Sequence, residues 1–191
     1  MLRDMRRQRS PGVDNGNMIK RAFLLSGLAL YFLSACAGGP FFTSEVTEIF
    51  LVRHAEKEPG RDPDLTPAGR ERANKLAERL ADAKLDVIYS TDYTRTRQTA
   101  APIALESGLP VIYYDPAKLD LFAAQIREQG GRILVVGHSN TTPQLVTALG
   151  GQPGTPIVEA TEYDRLYVIR IEREDVTTDL QRYGAPSGLP D

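Results

Sequence analysis

Arginine and histidine side chains cluster at the ends of apolar runs in this sequence. In LVRHAEK, Arg53 and His54 directly follow an apolar run, and in VVGHSNT the second of only two histidines, His138, does the same. A third segment, DYTRTRQTA, places Arg95 and Arg97 shortly after the run VIYS. Because ligands gather where the strands of an α/β sheet end, we expect the two histidines and two or three of the arginines to converge.

These residue types fit an oxyanion better than a metal ion. Two histidines lack a third ligand at helical or CxxC spacing, and nearby arginines would repel a cation. Arginine forks instead match phosphate oxygens bidentately. A neutral histidine can attack phosphorus if its other ring nitrogen is held by an acceptor, and a second histidine can stabilise the transferring phosphoryl oxygens. The pattern therefore predicts a phosphate pocket that needs neither a metal nor a cofactor.

Strand and helix patterns alternate along the part of the chain that carries these residues. Apolar runs predict strands, and 3.6-residue periodicity with caps predicts helices between them. The predicted strands cover 48–53, 86–90, 111–113, 132–137 and 166–171, with an extended edge segment at 179–183, and the predicted helices cover 66–83, 94–105, 119–128 and 143–149. This order predicts an α/β fold with a mostly parallel central sheet and helices on both faces.

The charge of the chain is divided unevenly. The formal net charge of the 191 residues is −2, but residues 1–36 hold six basic and two acidic residues. The remainder holds 17 basic and 23 acidic residues and is mildly acidic. A nucleic-acid-binding protein needs a basic face to neutralise phosphates, so we expect no nucleic-acid partner.

The N-terminal segment has the order of a secretory signal. A short basic start at Lys20-Arg21 precedes the apolar run AFLLSGLALYFLSA, which is short for a membrane span. The sole cysteine, Cys36, follows directly, and LSAC resembles the lipobox of bacterial lipoproteins. This resemblance implies a lipid on Cys36, and Ala37 after it favours the outer membrane. A plain signal peptide with an incidental cysteine and an uncleaved anchor remain alternatives.

These features predict three parts of the chain. Residues 1–36 would be an N-terminal extension with the signal peptide, 37–46 a tether, and 47–191 the folded domain. The polar stretch before Met18 suggests that synthesis starts at Met18, although a long basic region starting at Met1 is the alternative. The expected location is the periplasmic face of the cell envelope, with membrane contact through the lipid.

The three motif segments resemble those of the histidine phosphatase superfamily, which includes cofactor-dependent phosphoglycerate mutases and bacterial phosphohistidine phosphatases. The resemblance covers roughly residues 47–171 and implies the phosphoglycerate mutase-like fold. It implies that His54 is the nucleophile and that Arg53 and His138 bind the phosphoryl group. The functional arginine of family members lies four residues before the threonine of a Thr-Ala pair, which identifies Arg95. Arg97 is then expected to be solvated or salt-bridged.

The family pattern is weaker for the remaining site residues. Many members place an acidic general acid after the third strand, in a leucine-x-glutamate segment that is followed by a helical insertion, and this chain lacks such an insertion. Asp115 is the first candidate for that acid and Asp120 the second, and either could instead cap a helix. Glu56 and Lys57 either touch the substrate or form a charged loop. Asn140 either binds substrate or caps the next helix, and we expect capping.

The resemblance implies a phosphatase. The expected reaction is hydrolysis of a small phosphomonoester or phosphoamide through a phosphohistidine on His54. A mutase is disfavoured, because mutases hold two substrate orientations under longer inserted segments. The alternative is a non-catalytic phosphate-binding envelope lipoprotein, and a weaker idea is a lipid-phosphate role. The intact set of Arg53, His54, Arg95 and His138 favours the enzyme, because a non-catalytic relic would be expected to lose the nucleophile.

Overall fold

The computed structural model describes residues 46–187. The predictions for the signal peptide, for Cys36 and for most of the tether lie outside the described residues. The described part forms six strands and four helices. They are β1 Val46–Arg53, α1 Pro67–Leu80, β2 Val87–Ser90, α2 Thr94–Ser107, β3 Val111–Tyr113, α3 Leu119–Gln129, β4 Arg132–Gly137, α4 Thr141–Ala148, β5 Arg165–Glu172 and β6 Asp175–Arg182.

The strands form one sheet in the order β3-β2-β4-β1-β5-β6. The pairs β3–β2, β2–β4 and β4–β1 are parallel, whereas β1–β5 and β5–β6 are antiparallel. This confirms the predicted mostly parallel sheet. The edge segment predicted at 179–183 is a longer strand, because β6 begins at Asp175 and pairs with β5 along its whole length.

Helices cover both faces of the sheet, as predicted, because side chains of the central strands alternate between two apolar cores. In β1, Ile49 and Leu51 face the core that includes side chains of α3 and α4. Phe50 and Val52 face the other core, which includes side chains of α1 and α2. Strands buried on both faces read as continuous apolar runs. Each fully buried leucine or isoleucine in these cores contributes about 2 kcal/mol.

The start of α1 fixes the loop that leaves β1. Thr66 caps the helix, since its Oγ1 accepts a hydrogen bond from Gly69 N at 3.0 Å, and Pro67 follows as the first helical residue. Thr66 N donates to Glu56 O at 2.9 Å. A Cβ on Gly69 would lie 2.1 Å from Glu56 O, so glycine permits this close packing. The residues after His54 are thereby held against the first turn of α1.

The described helices do not include a membrane-spanning one. Within residues 46–187, none is both long enough and apolar enough to cross a bilayer.

Candidate active site

A pocket of about 400 Å³ opens at the carboxyl ends of the parallel strands. Most of the predicted functional residues meet there, and Arg53 lies beside them with only 2% of its surface exposed. The pocket is lined by His54, Lys57, Tyr93, Arg95, Pro116, Ala117, His138, Ser139, Asn140, Thr141 and Glu159. The convergence inferred from the strand ends is therefore present in the structure.

His54 is held as a neutral ring with one defined tautomer. Its Nδ1 lies 2.8 Å from Ala55 O, and because a carbonyl only accepts, Nδ1 carries the proton and Nε2 keeps its lone pair. The backbone N of His54 donates to Gly137 O on β4 at 2.9 Å. Burial lowers the pKa of His54 to about 3, and the charges of Arg53 and Arg95 act in the same direction. The ring therefore meets the requirement for a nucleophile at neutral pH.

His138 lies beside His54 with the opposite tautomer. The two ring centroids are 5.5 Å apart. Arg95 Nη2 lies 3.3 Å from His138 Nδ1; arginine only donates, so the ring proton is on Nε2. That nitrogen donates to Thr91 Oγ1 at 2.9 Å, and Thr91 Oγ1 donates to Thr96 Oγ1 at 3.1 Å. Burial lowers the pKa of His138 to about 4, with contributions from both arginines.

Arg53 is anchored by backbone carbonyls from the loop before β5. Its Nη1 donates to Glu162 O at 2.8 Å and its Nη2 to Glu159 O at 2.7 Å. The guanidinium carbon lies 4.0 Å from the centroid of the Tyr163 ring. Burial lowers the pKa of Arg53 from its ordinary value, yet that value is so high that the group remains charged. A fixed positive charge therefore lies next to both histidines.

Arg95 lies in the first turn of α2 and is held more loosely. It lies over the Tyr93 ring at 4.5 Å, and its Nη1 is 3.5 Å from Asp62 Oδ1. Within residues 46–187, the Nε atoms of both Arg53 and Arg95 are buried without a hydrogen-bond partner. A buried donor without an acceptor costs about 1–3 kcal/mol, and an oxyanion is the acceptor that a guanidinium binds best.

Thr99 links α2 to the loop that follows His54, a role that was not predicted from the sequence. Its Oγ1 accepts from Ala55 N at 3.0 Å and donates to Arg95 O at 2.7 Å. It lies one helical turn after Arg95, which is the signal that could have identified it, because residues four apart share a helix face. The contact fixes the backbone directly after His54.

The start of α4 forms one wall of the pocket, and here a prediction was wrong. The helix begins at Thr141, two residues before the predicted Pro143, and Thr141 Oγ1 accepts from His138 N at 3.1 Å. Asn140 stands at the N-cap position, but its side chain makes no capping hydrogen bond. Asn140 instead lines the pocket, which agrees with its alternative assignment as a substrate-binding residue.

The tentative assignment of Glu56 to substrate binding needs correction. Its carboxylate is bound by Arg72, with Nη2 2.7 Å from Oε1 and Nε 3.0 Å from both oxygens. Arg72 is only 4% exposed, and a buried guanidinium needs such a counter-ion. Glu56 therefore lies outside the pocket lining, whereas its neighbour Lys57 lies within it.

The structure also places both predicted acids outside the pocket lining. Asp115 is exposed, and its Oδ1 accepts from Ala117 N at 2.9 Å, so it stabilises a turn. Asp120 is exposed in the first turn of α3. Among the carboxylates of residues 46–187, Glu159 is the one that lines the pocket. No motif surrounds Glu159, so nothing in the sequence marks it as a site residue.

Arg97 lies outside the pocket lining, as predicted. Its Nη1 pairs with Asp92 Oδ1 at 2.5 Å, and its Nη2 donates to Thr94 Oγ1 at 3.0 Å. The two arginines of DYTRTRQTA therefore have different roles, because only Arg95 faces the histidines.

The low pKa of His54 makes a prediction for the pH profile. Protonation of Nε2 would remove the nucleophilic lone pair, and with a pKa of about 3 this happens only in strong acid. We expect kcat/KM, corrected for titration of the ester itself, to stay level down to about pH 4. The measurement is hydrolysis of 4-nitrophenyl phosphate between pH 3 and 7, because its leaving group needs no proton from the protein. A decline centred near 6.5, the ordinary histidine value, would contradict the assigned environment.

A buried ion-pair cluster supports the loop that binds Arg53. Glu162 and Arg165 are 6% and 5% exposed and approach to 2.6 Å between Oε1 and Nε. Arg182 also pairs with Glu162, at 2.8 Å. Glu162 Oε2 accepts from Val158 N at 3.0 Å, which closes the turn that contains Glu159. The cluster thus holds in place the two backbone carbonyls that accept hydrogen bonds from Arg53.

Loss of this cluster should destabilise the fold. We expect Arg165→Met to lower the free energy of unfolding by about 3 kcal/mol, since it leaves Glu162 buried with one partner fewer. The matched control is Arg170→Met on the same strand, where Arg170 is exposed and pairs with Glu48; it should cost less than about 1 kcal/mol. Urea unfolding measures both variants. Equal losses would show that the buried pair adds nothing beyond a surface one.

Comparisons with known proteins agree with this geometry. Residues 49–116 match the model of the histidine phosphatase superfamily, branch 1. Phosphoserine phosphatase 1 of Hydrogenobacter thermophilus is 44% identical over 78 residues, and the match spans 37% of this chain and 37% of that relative.

Two solved structures share the fold. The protein histidine phosphatase SixA complexed with tungstate has a TM-score of 0.58 at 18% identity, over 71% of this chain and 96% of the other. The alpha-ribazole phosphatase from Shigella flexneri has a TM-score of 0.57 at 17% identity, over 72% and 96%. At these identities the likeness concerns the fold. His54 and Arg95 lie both in the pocket and in the segment that matches the family model, so this part of the chain is similar to the histidine phosphatase superfamily, branch 1.

Proposed function

We propose that the protein is a phosphatase that hydrolyses a phosphomonoester or phosphoamide through a phosphohistidine on His54. The observation that carries this proposal is the His54 ring itself, neutral and with Nε2 free of its proton. It lies beside two arginines whose buried Nε atoms lack acceptors. A family match and phosphatases among the similar proteins support the same class. Their substrates differ, so these proteins support the class of reaction and not one particular substrate.

The proposed reaction has two steps. Arg53 and Arg95 would bind the phosphoryl oxygens and stabilise their charge in the transition state. His138 would join them by turning its Nε2–H from Thr91 Oγ1 to a phosphoryl oxygen. The lone pair of His54 Nε2 forms the N–P bond while the bond from phosphorus to the leaving oxygen breaks. Water then attacks phosphorus, the N–P bond breaks, and inorganic phosphate leaves. Splitting the reaction in this way replaces one difficult displacement by two easier ones.

We propose Glu159 as the group that transfers protons to and from the reacting oxygens. It lines the pocket with both histidines, and its backbone carbonyl is held by Arg53 Nη2. In its acid form the carboxyl would protonate the leaving oxygen as the P–O bond breaks. The resulting carboxylate would then accept a proton from the attacking water, which restores the acid.

The role of Glu159 makes a prediction that depends on the leaving group. Glu159→Gln should lower kcat/KM for an alkyl phosphate by about 100-fold, because an alkoxide is a poor leaving group without a proton. Hydrolysis of 4-nitrophenyl phosphate should fall much less, since nitrophenolate leaves unaided. Asp115→Asn is the matched control, and we expect both esters to react as in the parent. Equal losses for the two esters in Glu159→Gln would exclude proton transfer by this residue.

We propose that the reaction needs no metal ion. The two arginines would supply the positive charge that a metal supplies elsewhere. Within the described residues 46–187, no group of three or more histidine, cysteine, aspartate or glutamate side chains could hold a metal ion. Dialysis against EDTA should leave turnover unchanged.

We propose further that the protein is exported and anchored to the outer membrane by a lipid on Cys36. The support is the order of basic, apolar and small residues before the cysteine. Metabolic labelling with palmitate should mark the parent chain and not Cys36→Ser. Equal labelling of the two, or none in the parent, would exclude the anchor.

The deciding experiment on function combines turnover with trapping of the intermediate. The full chain should hydrolyse 4-nitrophenyl phosphate and, after acid-free denaturation during turnover, retain phosphate in an acid-labile bond. Failure with aryl phosphates, sugar phosphates and phosphohistidine, together with no trapped phosphoenzyme, would leave the alternative of a phosphate-binding lipoprotein without catalysis.

A further inference from the structure

A second groove of about 490 Å³ continues from the phosphate pocket. The two share Ser139, Asn140 and Glu159, so they form one continuous surface. The second groove runs along the exposed side of α4, past Gln144. None of the steps proposed above uses it.

The far wall of this groove is held in place by buried groups. Arg165 Nη1 donates to Thr155 O at 2.6 Å, and Tyr167 Oη donates to Pro153 O at 3.1 Å. Arg165 and Tyr167 are buried, at 5% and 0% exposed. The wall is thus fixed before any ligand arrives, and a preformed groove binds without an ordering cost.

The chemistry of the groove differs from that of the phosphate pocket. Its surface is largely apolar, with three prolines and Ile157 beside the uncharged polar side chains of Gln144 and Thr147. The phosphate pocket contains Arg95 and Lys57, whereas none of the described residues that line the groove is basic. Its one charge is Glu159, where the two sites meet. A carboxylate or phosphate in the groove would find no counter-ion and would be repelled at the junction.

We propose that this groove is the subsite for the leaving group, and that it selects an elongated, uncharged alcohol or phenol. The proposal rests on the proposed phosphatase function. When the phosphoryl group occupies the space between the arginines and His54, the rest of the ester extends outward past Glu159. That direction brings it into the groove, and Glu159 then lies beside the oxygen that it would protonate. The substrate class is therefore a neutral organic phosphate with an extended leaving group.

Two matched esters test this selection. Biphenyl-4-yl phosphate and its 4′-carboxylate have the same length and differ by one charge at the end far from phosphorus. We expect the parent chain to favour the neutral ester by about fivefold in kcat/KM, the range of an exposed charge interaction. It should also favour biphenyl-4-yl phosphate over phenyl phosphate by about fivefold, because the second ring buries apolar surface.

A charge placed in the groove should reverse the preference. Gln144→Lys puts a cation on the exposed side of α4 and should bring the ratio of the neutral to the carboxylate ester to one or below. Ala124→Lys, on the exposed face of α3 and outside both lining sets, adds the same charge and should leave the ratio unchanged. Inhibition by inorganic phosphate checks that the phosphate pocket is intact in both variants.

The outcomes separate this proposal from the one on which it rests. If the parent hydrolyses none of the three esters, no sugar phosphate and no phosphohistidine, and no phosphoenzyme is trapped, the proposed function and the subsite proposal both fail. If it hydrolyses a sugar phosphate or phosphohistidine but none of the three esters, the subsite proposal alone is wrong. If it hydrolyses phenyl phosphate but treats the two biphenyl esters alike, the subsite proposal alone is wrong. An unchanged ratio in Gln144→Lys, or an equal change in Ala124→Lys, would also overturn it.

Discussion

Replacing His54 by asparagine is expected to lower kcat by a factor on the order of 10⁴ or more, because no other side chain can take over the covalent step. Asparagine is the sharpest substitute, since its amide can still donate to Ala55 O in place of Nδ1. The loop after β1 should therefore keep its conformation while the nucleophile is lost. Steady-state hydrolysis of 4-nitrophenyl phosphate measures the effect.

The same variant separates the two functional alternatives. It should bind inorganic phosphate, because Arg53, Arg95 and His138 remain, yet form no acid-labile phosphoenzyme. A phosphoenzyme in the variant would move the nucleophile elsewhere, with His138 as the candidate at a centroid distance of 5.5 Å. If parent and variant bind phosphate equally and neither turns over any phosphate ester, the chain is a binding protein.

The pocket could be predicted because its histidines and arginines come shortly after apolar runs, which identify them as residues at strand ends. Apolar runs ended by arginine or histidine identify strand ends, and parallel strands bring such ends to one edge. His54 and His138 follow β1 and β4, which are hydrogen-bonded neighbours in the sheet, and His54 N donates to Gly137 O. Local pattern and sheet topology therefore agree for these residues.

The errors share a physical cause, which is pairing between segments far apart in the sequence. Glu56 has a partner in Arg72 that depends on how α1 packs against the loop. Glu159 comes to the pocket because its carbonyl receives Arg53, 106 residues earlier in the chain. Neither contact is reflected in the periodicity of the sequence.

The start of β6 was missed for a different reason. Its side chains alternate between partly exposed and exposed positions, so the strand contains no apolar run that would identify it.

Replacing the two arginines of DYTRTRQTA one at a time should have very different effects on activity, so the Arg97 variant serves as the control for the Arg95 variant. Arg95→Ala should lower kcat/KM by about 10²–10³-fold, the loss seen when one charged donor to a transition state is removed. Arg97→Ala should stay within about twofold, because Arg97 bonds only Asp92 and Thr94 at the start of α2. Alanine is the best helix former, so both variants should fold. Equal losses of kcat/KM in the two variants would contradict the assignment of Arg95, and not Arg97, to phosphate binding.

A second measurement on the Arg95 variant does not depend on turnover. Arg95 Nη2 donates to His138 Nδ1, and the charge of Arg95 helps to hold the pKa of His138 near 4. Without that charge and donor, the protonated form of His138 costs less, so its pKa should rise. Titration of the histidine ring protons by NMR should show this shift in Arg95→Ala and not in Arg97→Ala. Arg95→Lys restores the positive charge but not the planar guanidinium. If this variant returns the pKa of His138 towards 4, the charge of Arg95 sets that pKa. If its kcat/KM nevertheless stays low, the remaining loss of activity comes from the missing bidentate contact with the phosphoryl group.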